Sequence, residues 1–120
     1  MAKILIAEDD SSMRHFLGAA LERAGHEVEV CADGLTALKV LENGEVYDLL
    51  LTDIVMPGMD GIELAQKAGD LCPALRVMFI TGFAAVAMGG KNPAHEYARV
   101  LSKPFHLNEL VNQVEHLLAA

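Results

Sequence analysis

The sequence predicts an α/β fold: a doubly wound, five-stranded parallel sheet flanked by five helices, the fourth of them short or irregular. Three observations carry that expectation. Short apolar segments alternate with amphipathic helical ones five times, which in one domain implies right-handed crossovers and strands that all point the same way. The segment Leu49-Leu50-Leu51-Thr52 is an unbroken run without polar alternation, the pattern of a strand covered on both faces. No internal repeat or linker interrupts the series, and 120 residues suit a single domain with a substantial core.

Each element has its own signals. Lys3-Ile4-Leu5-Ile6-Ala7 reads as the first strand and ends abruptly in Glu8-Asp9-Asp10. Ser11 or Ser12 suits the N-cap of the first helix, where Met13, Phe16, Leu17, Ala20, Leu21 and Ala24 recur at helical spacing until Gly25 closes it. Glu27-Val28-Glu29-Val30-Cys31 alternates as a strand. Leu35, Leu38, Val40 and Leu41 mark a second helix that Asn43-Gly44 stops. The central strand then opens at Asp53 into a turn-rich loop, Met56-Pro57-Gly58-Met59-Asp60-Gly61. A third helix follows from Gly61 to Leu71, with Ile62, Leu64, Ala65 and Ala68 apolar. Pro73 separates it from the strand Leu75 to Ile80, which ends in Thr81-Gly82. Between Phe83 and His95 a helix over Ala84 to Met88 is broken by Gly89-Gly90 and Asn92-Pro93. Arg99-Val100-Leu101 is a fifth short strand, ending in Ser102-Lys103-Pro104-Phe105. Leu107, Leu110, Val111, Val114, Leu117 and Leu118 line the last helix.

Composition excludes several function classes. The formal net charge is −8 and there is no basic run, which argues against a nucleic-acid partner or an anionic membrane surface. No apolar run approaches the roughly 20 residues of a membrane span, and no signal peptide opens the chain. Cys31 and Cys72 stand apart in apolar surroundings outside any C-x-x-C pair, so both are expected as buried, reduced thiols of a cytoplasmic protein.

In an open α/β sheet, ligands bind outside the carboxyl ends of the strands. Glu8-Asp9-Asp10, Asp53, Thr81 and Lys103 all fall at such ends. Taken singly, each has an ordinary reading: a solvated acidic loop, a turn-capping Asp, a strand-end hydroxyl, a surface Lys. Together they are chemically complementary. Clustered acids invite a divalent cation, and an all-oxygen donor set suits Mg²⁺. A carboxylate beside Mg²⁺ can attack phosphorus and become an aspartyl-phosphate. Lys103 and the Thr81 hydroxyl are suited to bind the phosphoryl oxygens.

These residues also carry a family resemblance. Glu8-Asp9-Asp10, Thr52-Asp53 with Met56 to Gly61, Thr81-Gly82 and Lys103-Pro104-Phe105 together resemble a bacterial response-regulator receiver domain, of flavodoxin-like fold, over the whole of residues 1–120. The resemblance implies that Asp53 accepts phosphate from a histidine kinase or histidine phosphotransfer protein. It further implies that Asp9, Asp53 and the Val55 backbone carbonyl bind Mg²⁺ directly and Glu8 through water, with Asp10 an adjacent extra acid. Thr81 becomes the switch hydroxyl, Lys103 the phosphate-sensing cation, and the Lys103-Pro104 bond cis. Two departures are visible. Val100 stands where receivers often carry an aromatic residue, with Tyr97 a turn earlier. Gly89 to Pro93 also makes the face through which receivers commonly dimerise irregular, so a monomer is expected.

No output domain follows the last helix in this sequence, so the expectation is a stand-alone receiver that switches protein–protein binding and catalyses only its own phosphoryl transfer and slow dephosphorylation. The wording from Phe79 to Ala87 and from Leu101 to Leu107 resembles the CpdR-type subgroup. That implies an adaptor for the protease ClpXP and its substrates in cell-cycle proteolysis, with recruitment to a cell pole. Leu118-Ala119-Ala120 has the form of a small apolar tail that unfoldases grip, or of a frayed helix end. A chemotaxis-type or phosphate-sink receiver stays open as an alternative. A haloacid-dehalogenase-type phosphatase would need an acid where Val55 stands. An FMN binder would need a hydroxyl- and glycine-rich loop where the three acids stand.

Overall fold

The structure, a computed structural model, describes residues 2–81, 98–102 and 105–119. Five strands, β1 (Lys3–Ala7), β2 (Glu27–Cys31), β3 (Leu49–Asp53), β4 (Arg76–Thr81) and β5 (Ala98–Ser102), form one parallel sheet in the order β2-β1-β3-β4-β5. The helices are α1 (Ser11–Arg23), α2 (Gly34–Glu42), α3 (Gly61–Leu71) and, last in the chain, α4 (Leu107–Ala119). The doubly wound parallel sheet is thus as expected. The short or irregular helix anticipated between Phe83 and His95 lies outside the described residues, as do Tyr97 and the Lys103-Pro104 bond.

The sheet has two cores because strand side chains alternate in direction. Ile4, Ile6, Leu49, Leu51, Met78, Ile80 and Leu101 pack with Leu17, Ala20 and Leu21 of α1 and with Leu110, Val114 and Leu117 of α4. Leu5, Ala7, Leu50, Val77 and Phe79 point the other way, onto Ala37, Leu38 and Leu41 of α2 and Leu64 and Ala68 of α3. Every residue of β3 is buried, so its apolar run reflects helices on both sides. Edge strand β2 buries only Cys31, and its Glu-Val alternation reflects that exposure.

Several local expectations are corrected. Asp10, not Ser11 or Ser12, is the N-cap of α1: its backbone is extended and its carboxylate accepts the Met13 N–H at 2.9 Å. Ser11 is already the first helical residue, so its hydroxyl stands one position too late for that role. Phe16 and Leu35 lie on the outer sides of their helices and are exposed; Phe16 instead meets Phe105, ring centroids 6.5 Å apart. Cys72 is half-buried at the end of α3, whereas Cys31 is buried, and both are free thiols. Burial, with Glu29 and Asp33 adding to it, pushes the Cys31 thiol up to about 11. Among the described residues, no helix is long and apolar enough to cross a membrane.

Candidate functional site

Strand register places the acids. Ala7 pairs with Thr52, so the next residues, Glu8 just past β1 and Asp53 at the end of β3, stand side by side at the carboxyl ends of these neighbouring strands. Asp53 itself pairs with Ile80, and Thr81 with Ser102, which puts the ends of β4 and β5 on the same edge. One carboxylate oxygen from each of Glu8, Asp9 and Asp53 lies within 4.8 Å of the others. Glu8 is wholly buried, Asp53 nearly so, and Asp9 faces solvent.

Hydrogen bonds hold both acidic loops in place. On the β1 side, the Glu8 N–H donates to the Cys31 carbonyl at 3.1 Å, extending the β1–β2 ladder beyond the strand. The Asp10 N–H donates to Glu8 Oε2 at 3.0 Å, and Arg14 Nη1 donates to the Glu8 carbonyl at 2.9 Å. On the β3 side, the Thr52 hydroxyl donates to the Asp53 carbonyl at 2.9 Å, and the Ile54 N–H to Ile80 O at 3.2 Å. The loop then folds back under Asp53. Gly58 has φ +78, a left-handed turn that suits glycine, and the Gly61 N–H reaches the Ile54 carbonyl at 2.8 Å. A Cβ on Gly61 would collide with the Asp53 carbonyl oxygen. Asp60 then caps α3 through the Glu63 N–H at 2.8 Å.

The turn-capping reading of Asp53 is part of the picture, since Asp53 Oδ1 accepts the Val55 N–H, but only at 3.3 Å. The same carboxylate also stands beside those of Glu8 and Asp9. Burying like charges together is unfavourable unless a cation or donors compensate. The donor set here is three carboxylates, with no His or Cys in the group. All-oxygen ligation of that kind fits a hard divalent cation, and Mg²⁺ in particular, which keeps some of its waters and uses few protein ligands.

The structure therefore brings together Glu8, Asp9 and Asp53 of the expected site. Val55 is the second residue of the adjoining loop and its side chain is exposed. Asp10 is not part of the cluster; its carboxylate is committed to capping α1. The side chain of Thr81 and the whole of Lys103 lie outside the described residues. Sequence reasoning missed Arg14 and Gly61 as supports. A glycine directly after the Asp60 cap was the available signal for Gly61, whereas nothing local marks Arg14 as the partner of a carbonyl six residues earlier.

Comparison with known proteins agrees with this fold. The model of the response regulator receiver domain family matches residues 4–115. The response regulator receiver protein CpdR of Brucella abortus (strain 2308) is 55% identical over 120 residues, covering 100% of this chain and 99% of that protein. The sensor kinase CckA of the same strain is 34% identical over 119 residues; 98% of this chain matches 12% of that longer protein. Among solved structures, a response regulator receiver protein from Sinorhizobium medicae WSM419 superposes with a TM-score of 0.89 at 28% identity, covering 98% of this chain and 94% of that one.

Proposed function

This chain belongs to the response regulator receiver domain family, and on that premise we propose that it is a stand-alone response regulator, phosphorylated on Asp53 with Mg²⁺, that switches protein–protein binding. The observation that carries the reading is the Glu8–Asp9–Asp53 cluster at the carboxyl ends of the neighbouring strands β1 and β3. Bound at Glu8, Asp9, Asp53 and the Val55 carbonyl, Mg²⁺ would supply charge neutralisation for the phosphoryl oxygens.

The chain's own residues do the rest. An Asp53 oxygen attacks the phosphorus of a phosphohistidine on a histidine kinase or phosphotransfer protein. The P–N bond breaks, the P–O bond forms, and the imidazole leaves with its electron pair and takes a proton. The Gly61 backbone, packed against the Asp53 carbonyl, fixes the end of β3 and so orients the carboxylate. Thr81 and Lys103 are assigned the new phosphoryl oxygens, Thr81 through its hydroxyl and Lys103 through its ammonium. The loop after β3 is the element whose rearrangement a partner would sense, because it is packed directly on Asp53.

Identity to CpdR along the whole chain supports a finer proposal: an adaptor whose unphosphorylated form helps deliver substrates to ClpXP in cell-cycle proteolysis. A pull-down of ClpX by the unphosphorylated protein, lost on phosphorylation, tests that arm; no capture in either state favours a chemotaxis-type or phosphate-sink receiver. The core proposal is tested by mass spectrometry after incubation with acetyl phosphate and Mg²⁺. Wild type is expected to gain one phosphate and Asp53→Ala none; an unlabelled wild type, or a labelled Asp53→Ala, would overturn it.

A further inference from the structure

We propose that Arg14 is a positioning residue for the metal-binding acids: it holds the Glu8–Asp9 peptide so that both carboxylates face Asp53. The inference rests on the proposed Mg²⁺-dependent function and names a residue of the same site. Three residues, Glu8 to Asp10, connect β1 to α1, and two of them must bring a negative charge toward a third. Repulsion among carboxylates within 4.8 Å of each other would push such a short loop outward. Something must hold it in.

Arg14 meets that need from a fixed base. Its backbone N–H donates to the Asp10 carbonyl at 2.8 Å, the first internal bond of α1, and Asp10 caps the same turn. Leu17, Ala20 and Leu21 anchor α1 on the sheet. From there the guanidinium reaches back to the Glu8 carbonyl at 2.9 Å. That carbonyl belongs to the peptide joining Glu8 to Asp9, so its direction sets where the Asp9 side chain leaves the backbone. The opposite end of Glu8 is held by Cys31, and its carboxylate by the Asp10 N–H. Removing Arg14 leaves the hinge between the two metal ligands without its charged donor.

The ordinary reading of Arg14 is a half-buried surface cation beside the groove lined by Ser11, His15, Gly18 and Val30. The two readings differ in sign. A positive charge near a cation site opposes metal binding, so if charge were its only effect, deleting Arg14 would tighten Mg²⁺ binding. If Arg14 positions the ligands, deletion weakens binding, because groups that orient metal ligands are worth about tenfold or more in affinity.

Isothermal titration of Mg²⁺ into the full chain separates them. Arg14→Ala is expected to raise the Mg²⁺ dissociation constant about tenfold, with Arg14→Lys in between. Phosphorylation by acetyl phosphate should then need more Mg²⁺ for half-saturation while reaching the wild-type maximal rate. A merely structural role would lower the Tm of the metal-free protein and leave the dissociation constant alone. If Arg14→Ala does not fold, Arg14→Gln, which keeps a donor and loses the charge, is read instead and is expected to weaken binding less than tenfold without tightening it. Unchanged or tighter binding in the variant that is read overturns the positioning role and leaves the proposed function standing. A wild type that binds no Mg²⁺ overturns both.

Discussion

Gly61 shows how closely the backbone is packed against the end of β3 at Asp53. An added Cβ would collide with the Asp53 carbonyl oxygen and stand 3.0 Å from the Ile54 Cα. Backbone atoms cannot swing aside as the end of a long side chain can. Gly61→Ala is therefore expected to destabilise the domain by about 1–3 kcal/mol, the usual range for overpacking, and to weaken Mg²⁺ binding because β3 must shift. Gly69, in the last turn of α3, has nothing within 4 Å of its would-be Cβ. There, replacement by Ala should stabilise by about 0.5–1 kcal/mol through helix propensity. Urea unfolding of the two variants checks the contrast; equal effects would mean the Gly61 contact is easily relieved.

At the scale of the element, three helices begin on an aspartate whose carboxylate accepts a backbone N–H three residues on: Asp10 to Met13, Asp33 to Thr36, Asp60 to Glu63. Asp33 is the one to test, since Asp10 and Asp60 lie in the loops that carry the acidic cluster and Asp33 does not. Its hydrogen bonds from Thr36, backbone first and then side chain, hold its carboxyl below the usual 3.8. A depressed carboxyl stabilises the fold above its unfolded value and loses that contribution as the pH falls through the folded one. Asp33→Ala is expected to cost about 1 kcal/mol near neutral pH, and the gap from wild type to close as the pH drops below 3.8. Thermal unfolding of both proteins across that range checks the sign. The element is tied to the site as well: a Cβ on Gly34, the first residue of α2, would come within 2.9 Å of the Met59 carbonyl in the loop after β3. A rearrangement of that loop is therefore felt at the start of α2.

Across the whole molecule, a net charge of −8 is combined with three acids gathered at one edge of the sheet. The fold tolerates this because two apolar cores, one on each face, pin the strands that carry them. Asp53→Ala removes one carboxylate from the cluster without opening either core. In EDTA it is expected to be at least as stable as wild type. Mg²⁺ at ten times its dissociation constant should stabilise wild type by about 1.4 kcal/mol, roughly 4–6 °C in Tm for a domain of this size. Asp53→Ala should lose most of that increment. A scanning fluorimetry series with and without Mg²⁺ measures it, and equal shifts in the two proteins would place the ion elsewhere.

The strands and helices were legible in the sequence because their signals are local. A continuous apolar run at Leu49 to Leu51 and helical spacing at Leu110, Val114 and Leu117 need no partner to be read. The parallel order followed from the alternation, and the strand-end positions of Glu8, Asp9 and Asp53 followed from the order. Which side chains meet was not local. That Glu8 and Asp53 stand side by side depends on the pairing of Ala7 with Thr52. That Asp10 caps a helix instead of joining the cluster depends on where α1 starts. The grip of Arg14 on the Glu8 carbonyl, and the exclusion of any side chain at Gly61, arise only once β1, β3 and the helices that follow them are packed. Period and composition decide which face of an element is apolar, whereas hydrogen bonds and steric exclusion act over about 3 Å and are decided by register and packing.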